Sequence, residues 1–279
     1  MNPMKTIKRA FLAALFLAAP AFAAEGIAFL TNLKGEVAVD GSRAAILAEL
    51  NRGQKIAVGK DSQASVMYIV NGKEYVLKGP ADYLVKDTEI SGSAGMPPMT
   101  RETAWRANEK VLVQVAQTSA ASVRMRSLAQ PKPDTEPKLL FPTQGSIATL
   151  QPTFRWRAAE PNASGEFVLL VAGHDKPVHV AKAAGGAYRV PAKLLPDTDY
   201  SWTVTIAGQE LGAGRFHTLS HDALTQVEKR KPSDKAEFSD RLLFTLMLQE
   251  MGANQEAHDA WAKLAQERTD LPELAALAK

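Results

Sequence analysis

Residues 193–204, KLLPDTDYSWTV, constrain the fold of this chain more than any other stretch. Pro196, Asp197, Thr198 and Asp199 are turn formers, and Tyr200, Trp202 and Val204 follow them in alternation with polar residues. Side chains two apart on a strand share a face, so these three are expected in a core. A Tyr placed at such a corner buries its ring while its hydroxyl bonds back to nearby backbone, which pins the turn. The same alternation puts Phe154 and Trp156 of TFRWR on one face. FVLLVAG reads as a buried strand and HDKPVH as a turn. Large aromatics at strand spacing are usually buried, so Trp156, Tyr200 and Trp202 are expected to be structural.

Pro142, Trp156, Leu194, Pro196, Thr198, Tyr200 and the last strand GAGRFHTL together resemble a fibronectin type III or similar immunoglobulin-like domain. The resemblance implies a β-sandwich over residues 138–220.

The first part of the chain is also read as β. IAFLTNLKGEVAVDG ends at Asp40-Gly41, a strong turn dipeptide, and Gly53 lies between the short runs of LNRGQKI. SVMYIVNGKEYVLKG gives the clearest hairpin, with Val66–Val70 and Glu74–Leu77 flanking a tight turn at Asn71-Gly72. A further strand, ADYLVKDTEI, is expected after Pro80. The opening GEVAVDG, the run Leu50, Gly53, Gln54 and Ile56, the segment VGKDSQASV and the closing YVLKGPADYLV resemble the periplasmic FecR-type domain. That resemblance implies a β module over residues 25–95 and, by way of FecR regulators, an envelope signalling role as one alternative.

Residues 96–137 read as a connector. Its neighbour SGSAGMPPM is rich in Gly, Ser and Pro, and LAQPKPDTEPK favours extended backbone. Between them VLVQV alternates like a strand while Ala104–Lys110 would accept a helix, and both readings stay open. Residues 221–279 then change to helical period. Leu242, Leu243, Leu246 and Met247 form an apolar face that Gly252 stops. A second helix from Asn254 has Ala257, Trp261, Leu264 and Ala265 on its apolar side. Gly252 at the turn, Ala257 at the small crossing position, Trp261 at the aromatic one and Pro272 beyond resemble a single tetratricopeptide-type hairpin. One such repeat cannot bury a continuous core alone, so it must pack on the sandwich, a copy of itself or another protein. The expected fold class is mainly β: a FecR-like domain, a fibronectin-like sandwich and a C-terminal helical hairpin.

Lys5, Lys8 and Arg9 precede the apolar run Ala10–Ala19, followed by Pro20 and small residues. This is the pattern of a secretory signal over residues 1–24, cleaved after Ala23 or Ala24. The expected location is therefore the periplasm, as a soluble protein, not lipidated and not an integral membrane protein. The chain has 33 Lys+Arg and 30 Asp+Glu. The three basic residues of the signal leave the rest balanced, without the basic stripe a nucleic-acid binder carries. With 0 cysteines, thiolate zinc sites and Cys nucleophiles are excluded and stability must come from packing.

The histidines are His174, His179, His217, His221 and His258; His174 and His179 bracket an expected turn and His217-x-x-x-His221 straddles the end of a strand, so neither pair sits on the helix face that zinc pairs need, and all five read as surface histidines. No G-x-S-x-G elbow or phosphate loop occurs. Asp82, Asp87 and Glu89 lie near a strand without a sign of a cleft, and Asp197 and Asp199 read as turn formers. No catalytic, cofactor or metal residue is expected. The leading expectation is a non-enzymatic binding or scaffolding protein of the bacterial envelope whose partners are envelope proteins or a cell-wall polymer, with the loops 159–165 and 174–179 and the helical hairpin as contacts. A peptidoglycan- or glycan-active hydrolase is the other alternative.

Overall fold

The computed structural model describes residues 26–93, 95–103, 105, 112, 138–158, 163–233 and 235–278. The signal segment, the 104–110 helix-or-strand question apart from Trp105, and the Pro-rich run 131–137 lie outside the described residues.

The chain is mainly β. Its first part forms two five-stranded antiparallel sheets. One contains β1 (Ala28–Lys34), β4 (Glu49–Leu50), β6 (Gln63–Tyr68), β7 (Glu74–Lys78) and β10 (Met99–Arg101), in the order β10-β7-β6-β1-β4. The other contains β2 (Val37–Val39), β3 (Ser42–Arg43), β5 (Lys55–Val58), β8 (Ala81–Val85) and β9 (Ile90–Gly92), in the order β3-β2-β5-β8-β9. Asp40 and Gly41 both take positive φ, 48° and 80°, and close the two-residue turn from β2 to β3. ADYLVKDTEI, expected as one strand, is the hairpin β8–β9.

The expected two-residue turn at Asn71-Gly72 is a longer loop. The Ile69 amide donates to the Ile27 carbonyl at 3.0 Å, which draws residue 69 towards β1 and away from β7. Pairing therefore closes at Tyr68, whose amide donates to the Lys73 carbonyl. Gly79 has a separate, steric requirement: a Cβ there would stand 1.8 Å from the Gly59 carbonyl oxygen. Met99–Arg101, placed in the connector by the sequence, is an edge strand because it finds the open side of β7.

The second β unit packs a three-stranded sheet against a five-stranded one. The former is β11 (Leu139–Phe141), β13 (Thr153–Trp156) and β16 (Ala187–Arg189). The latter, in order, is β12 (Ser146–Ile147), β18 (Gln209–Thr218), β17 (Asp199–Ile206), β14 (Ser164–Val171) and β15 (His179–Ala184). LLFPTQGSI, expected to open one strand, supplies two: β11 in one sheet and β12, parallel to β18, in the other. Phe154 stands 4.8 Å from Phe167 and 5.0 Å from Trp202 between ring centroids, at the centre of this unit's own apolar core.

Four helices follow: α1 (His221–Arg230), α2 (Phe238–Glu250), α3 (Asn254–Glu267) and α4 (Pro272–Leu277). Two helices were expected. The added ones arise because Ser220 caps α1, its side chain accepting from the Ala223 amide, and Pro272 starts α4 at a position where its missing N–H costs nothing. The expected face Leu242, Leu243, Leu246 and Met247 is buried, but so are Phe238, Ser239, Thr245 and Leu248. A helix covered nearly all round lies inside a structure, and α2 packs on β1 and on α3. The helices and the first β unit share one core, separate from that of the sandwich. The hairpin thus docks within its own chain, joining the last helices to the first sheets. No helix among the described residues is long and apolar enough to cross a membrane.

Candidate interaction surfaces

The six residues singled out from the sequence occupy two different places. Trp156, Tyr200 and Trp202 are buried in the sandwich. The Tyr200 hydroxyl accepts from the Leu195 amide at 2.9 Å, the expected bond back across the corner. Trp202 donates its indole N–H to the Pro142 carbonyl at 2.6 Å. That indole lies where Gly214 leaves room, since a Cβ at Gly214 would stand 2.2 Å from Trp202 Nε1. Trp156 Nε1 is buried without a hydrogen-bond partner among the described residues. Gly252, Ala257 and Trp261 belong to the helical layer. Gly252 ends α2 with φ 77°, Ala257 and Trp261 are buried, and Trp261 donates to Gln249 Oε1 at 3.1 Å, tying α3 to α2.

The helical layer holds both β units. Towards the first, Arg101 on β10 reaches three side chains on two elements: Nε donates to Glu74 on β7 at 2.5 Å, Nη1 to Asp240 on α2 at 2.7 Å, and Nη2 to Ser239, also on α2, at 2.8 Å. Glu74 is buried and also accepts from Thr31 at 2.8 Å. Burial works against the Arg101 charge, but Asp240 and Glu74 outweigh it and hold its pKa above the usual arginine value. Arg268 at the end of α3 donates to Asn32 at 2.6 Å and to the Leu33 carbonyl, and its guanidinium lies over the Phe238 ring.

Towards the sandwich, the α2–α3 turn meets the β11–β13 segment. The Ser146 amide donates to the Gly252 carbonyl at 3.0 Å, and the Thr143 amide donates to Gln255 at 2.7 Å. Gln255 Nε2 returns a bond to the Leu140 carbonyl at 3.0 Å. The Ala148 amide donates to Glu256 Oε1 at 2.8 Å, while Oε2 is enclosed without a partner among the described residues. Burial pushes the Glu256 carboxyl up to about 7, against the bonds from the Ala148 amide and its own amide. Sequence reasoning missed Arg101, Glu74, Gln255 and Glu256. A Glu at the head of the EYVLK strand was the available signal, because an acid on a buried strand requires a partner.

The histidines stay apart. His179 lies 2.7 Å from the Tyr188 hydroxyl and stacks on that ring. His217 sits between Asp199, at 2.9 Å, and Asp197, at 3.3 Å. These two acids therefore do more than form a turn: they hold the His217 ring at the edge of β17. No group of three possible metal ligands occurs among the described residues. Asp87 pairs with Arg52 and Glu89 with Lys86 on the surface, and Asp82 points outward from β8.

Among the described residues, what the sandwich leaves open is an edge. β15 pairs with β14 on one side and is last in its sheet. The Gly185 amide donates to the Ala163 carbonyl, so residues 179, 181 and 183 share its register and face β14. The backbone groups of Val180, Lys182 and Ala184 face away, as alternation along an antiparallel pair requires. Val178 and Val180 are 54% and 53% exposed beside this edge. Of the expected loop contacts, 174–179 leads directly into β15; 159–162 lie outside the described residues. No family model matches this chain, and no curated protein matches it.

Proposed function

We propose that this chain is a non-enzymatic binding or scaffolding protein of the bacterial periplasm, and that it works by holding a protein partner on the sandwich. The observation that carries this reading is the edge of β15, unpaired among the described residues, with three outward backbone positions and exposed Val178 and Val180 beside them. An extended segment of a partner can add to such an edge, main-chain bonds supplying affinity and alternate side chains selectivity. The helical layer supports the reading by bonding to both β units, so that the edge is presented from a fixed frame. Three strands packed on five, with β12 parallel to β18, support the fibronectin-like part of the proposal. The two antiparallel sheets of residues 28–101 are compatible with the FecR-like part, and the basic head and apolar run of residues 5–19 support export.

Pulldown from envelope extract tests this, with Val180→Pro as the control. The Val180 amide points away from β14, so proline removes no sheet bond but blocks the incoming strand. Capture of a defined partner by the parent and not by Val180→Pro supports the reading. Equal capture by both places the contact elsewhere, and release of muropeptides from purified wall by the protein replaces the reading with a hydrolase.

A further inference from the structure

A second surface, lined by no residue of β15, has a different chemistry. Between the sandwich and α1 runs a groove of ≈ 700 Å³. One wall is residues 148–151 together with Arg189, the last residue of β16, and Lys193; the other is α1 from His221 to Lys229. Arg189, Lys193 and Lys229 are exposed, and among the described residues none of them forms an ion pair. Glu228 is the one carboxylate among the lining residues. Cations gathered in a concave site raise the local potential and draw in anions.

The length of the groove selects the ligand. Eight residues separate His221 from Lys229, a rise of ~12 Å along a helix, and the cations stand on both walls. A groove that follows α1 over that length, with Lys229 on one wall and Arg189 and Lys193 on the other, suits a chain with repeated charges better than a single phosphate or carboxylate. A flat anionic membrane meets the rim of a concave site and not its floor. Thr149, Gln151 and Thr225 also line the groove; the Thr149 hydroxyl accepts from the Gln151 amide, Gln151 Nε2 donates to the Pro191 carbonyl and the Thr225 hydroxyl donates to the His221 carbonyl, which leaves the Thr149 O–H, the Gln151 Oε1 and the Thr225 oxygen lone pairs to meet the hydroxyls of a sugar. We infer that this groove binds a linear anionic polysaccharide, its charges on Arg189, Lys193 and Lys229 and its hydroxyls on the groove's polar side chains.

The test is titration of the full chain with a polygalacturonate oligosaccharide, a neutral glucan of equal length, a poly-glutamate peptide and vesicles of anionic phospholipid. The expected result is salt-sensitive binding of polygalacturonate and none of the glucan. Arg189→Glu and Lys229→Glu, both on the surface and checked for an unchanged Tm, should each weaken binding by about two- to fivefold, as loss of one exposed ion contact implies. The same reversal at Lys60 on the first β unit should change it less than twofold. Equal loss from Lys60→Glu, absence of polygalacturonate binding, or tighter binding of poly-glutamate or of vesicles would each overturn the inference. Val180→Pro should leave sugar binding intact, so failure of this site and failure of the β15 reading remain separate results.

Discussion

Glu256 accepts the Ala148 amide hydrogen bond at 2.8 Å, placing a carboxyl group in the contact between the helical layer and the sandwich. The other oxygen of that carboxyl is enclosed and has no hydrogen-bond partner among the described residues.

This geometry makes the contact sensitive to pH. Burial raises the Glu256 pKa from 4.5 to about 7, so the folded state holds the proton more tightly than the unfolded chain. The stabilisation is complete below about pH 4.5 and is lost as pH rises towards 7. Glu256→Gln removes the titration while keeping an acceptor for Ala148. Its Tm should fall less than that of the parent between pH 5 and 8, with a gain at pH 8 on the order of 1–2 kcal/mol. Parallel Tm curves for the two proteins would show that Glu256 does not control the contact.

Arg101 is the cation that keeps Glu74 from being a lone buried charge. Arg101→Met should destabilise the fold by about 3–5 kcal/mol, the usual cost of stranding one member of a buried pair. Adding Glu74→Leu removes the stranded charge and should recover a large part of that loss. Chemical denaturation of both variants measures this, and a double variant no more stable than Arg101→Met would refute the account.

Tyr200 joins a core ring to one bond at the corner. Tyr200→Phe should cost about 1 kcal/mol, the net worth of a typical hydrogen bond, and Tyr200→Ala ~3 kcal/mol or more. Gly214→Ala should also be costly, because its methyl group needs the place of the Trp202 indole. Partner capture should survive Tyr200→Phe. An unchanged Tm with lost capture would make Tyr200 a recognition residue.

Limited proteolysis in the Pro-rich run near Pro131–Pro137 should give two resistant fragments. Because the helices share a core with the first β unit, the fragments should elute together in native size exclusion and separate in denaturant. Separation under native conditions would show that this shared core is too weak to hold them.

Much of the local structure was legible because it depends on neighbours in sequence. The alternation at Tyr200, Trp202 and Val204, the Asp40-Gly41 turn and the stop at Gly252 all follow from backbone preference and side-chain period. Legibility ended where a residue's partner lies far along the chain. Met99–Arg101 has no strong strand pattern and becomes a strand by pairing with β7. Tyr68 ends β6 because Ile69 bonds to Ile27, more than forty residues earlier.

The sequence by itself determined a mainly β chain, with aromatics at strand spacing in the core of residues 138–219 and a change to helical period after it. Only the tertiary structure decided where the helices go. An apolar face says that a helix must be covered, but burial is non-directional and does not name the cover. The choice of the first sheet was made by groups that must be satisfied together: Glu74 with Arg101 and Asp240, and Arg268 with Asn32 and the Leu33 carbonyl. Directional bonds between distant residues carry that selection, and no local pattern of the sequence contains them.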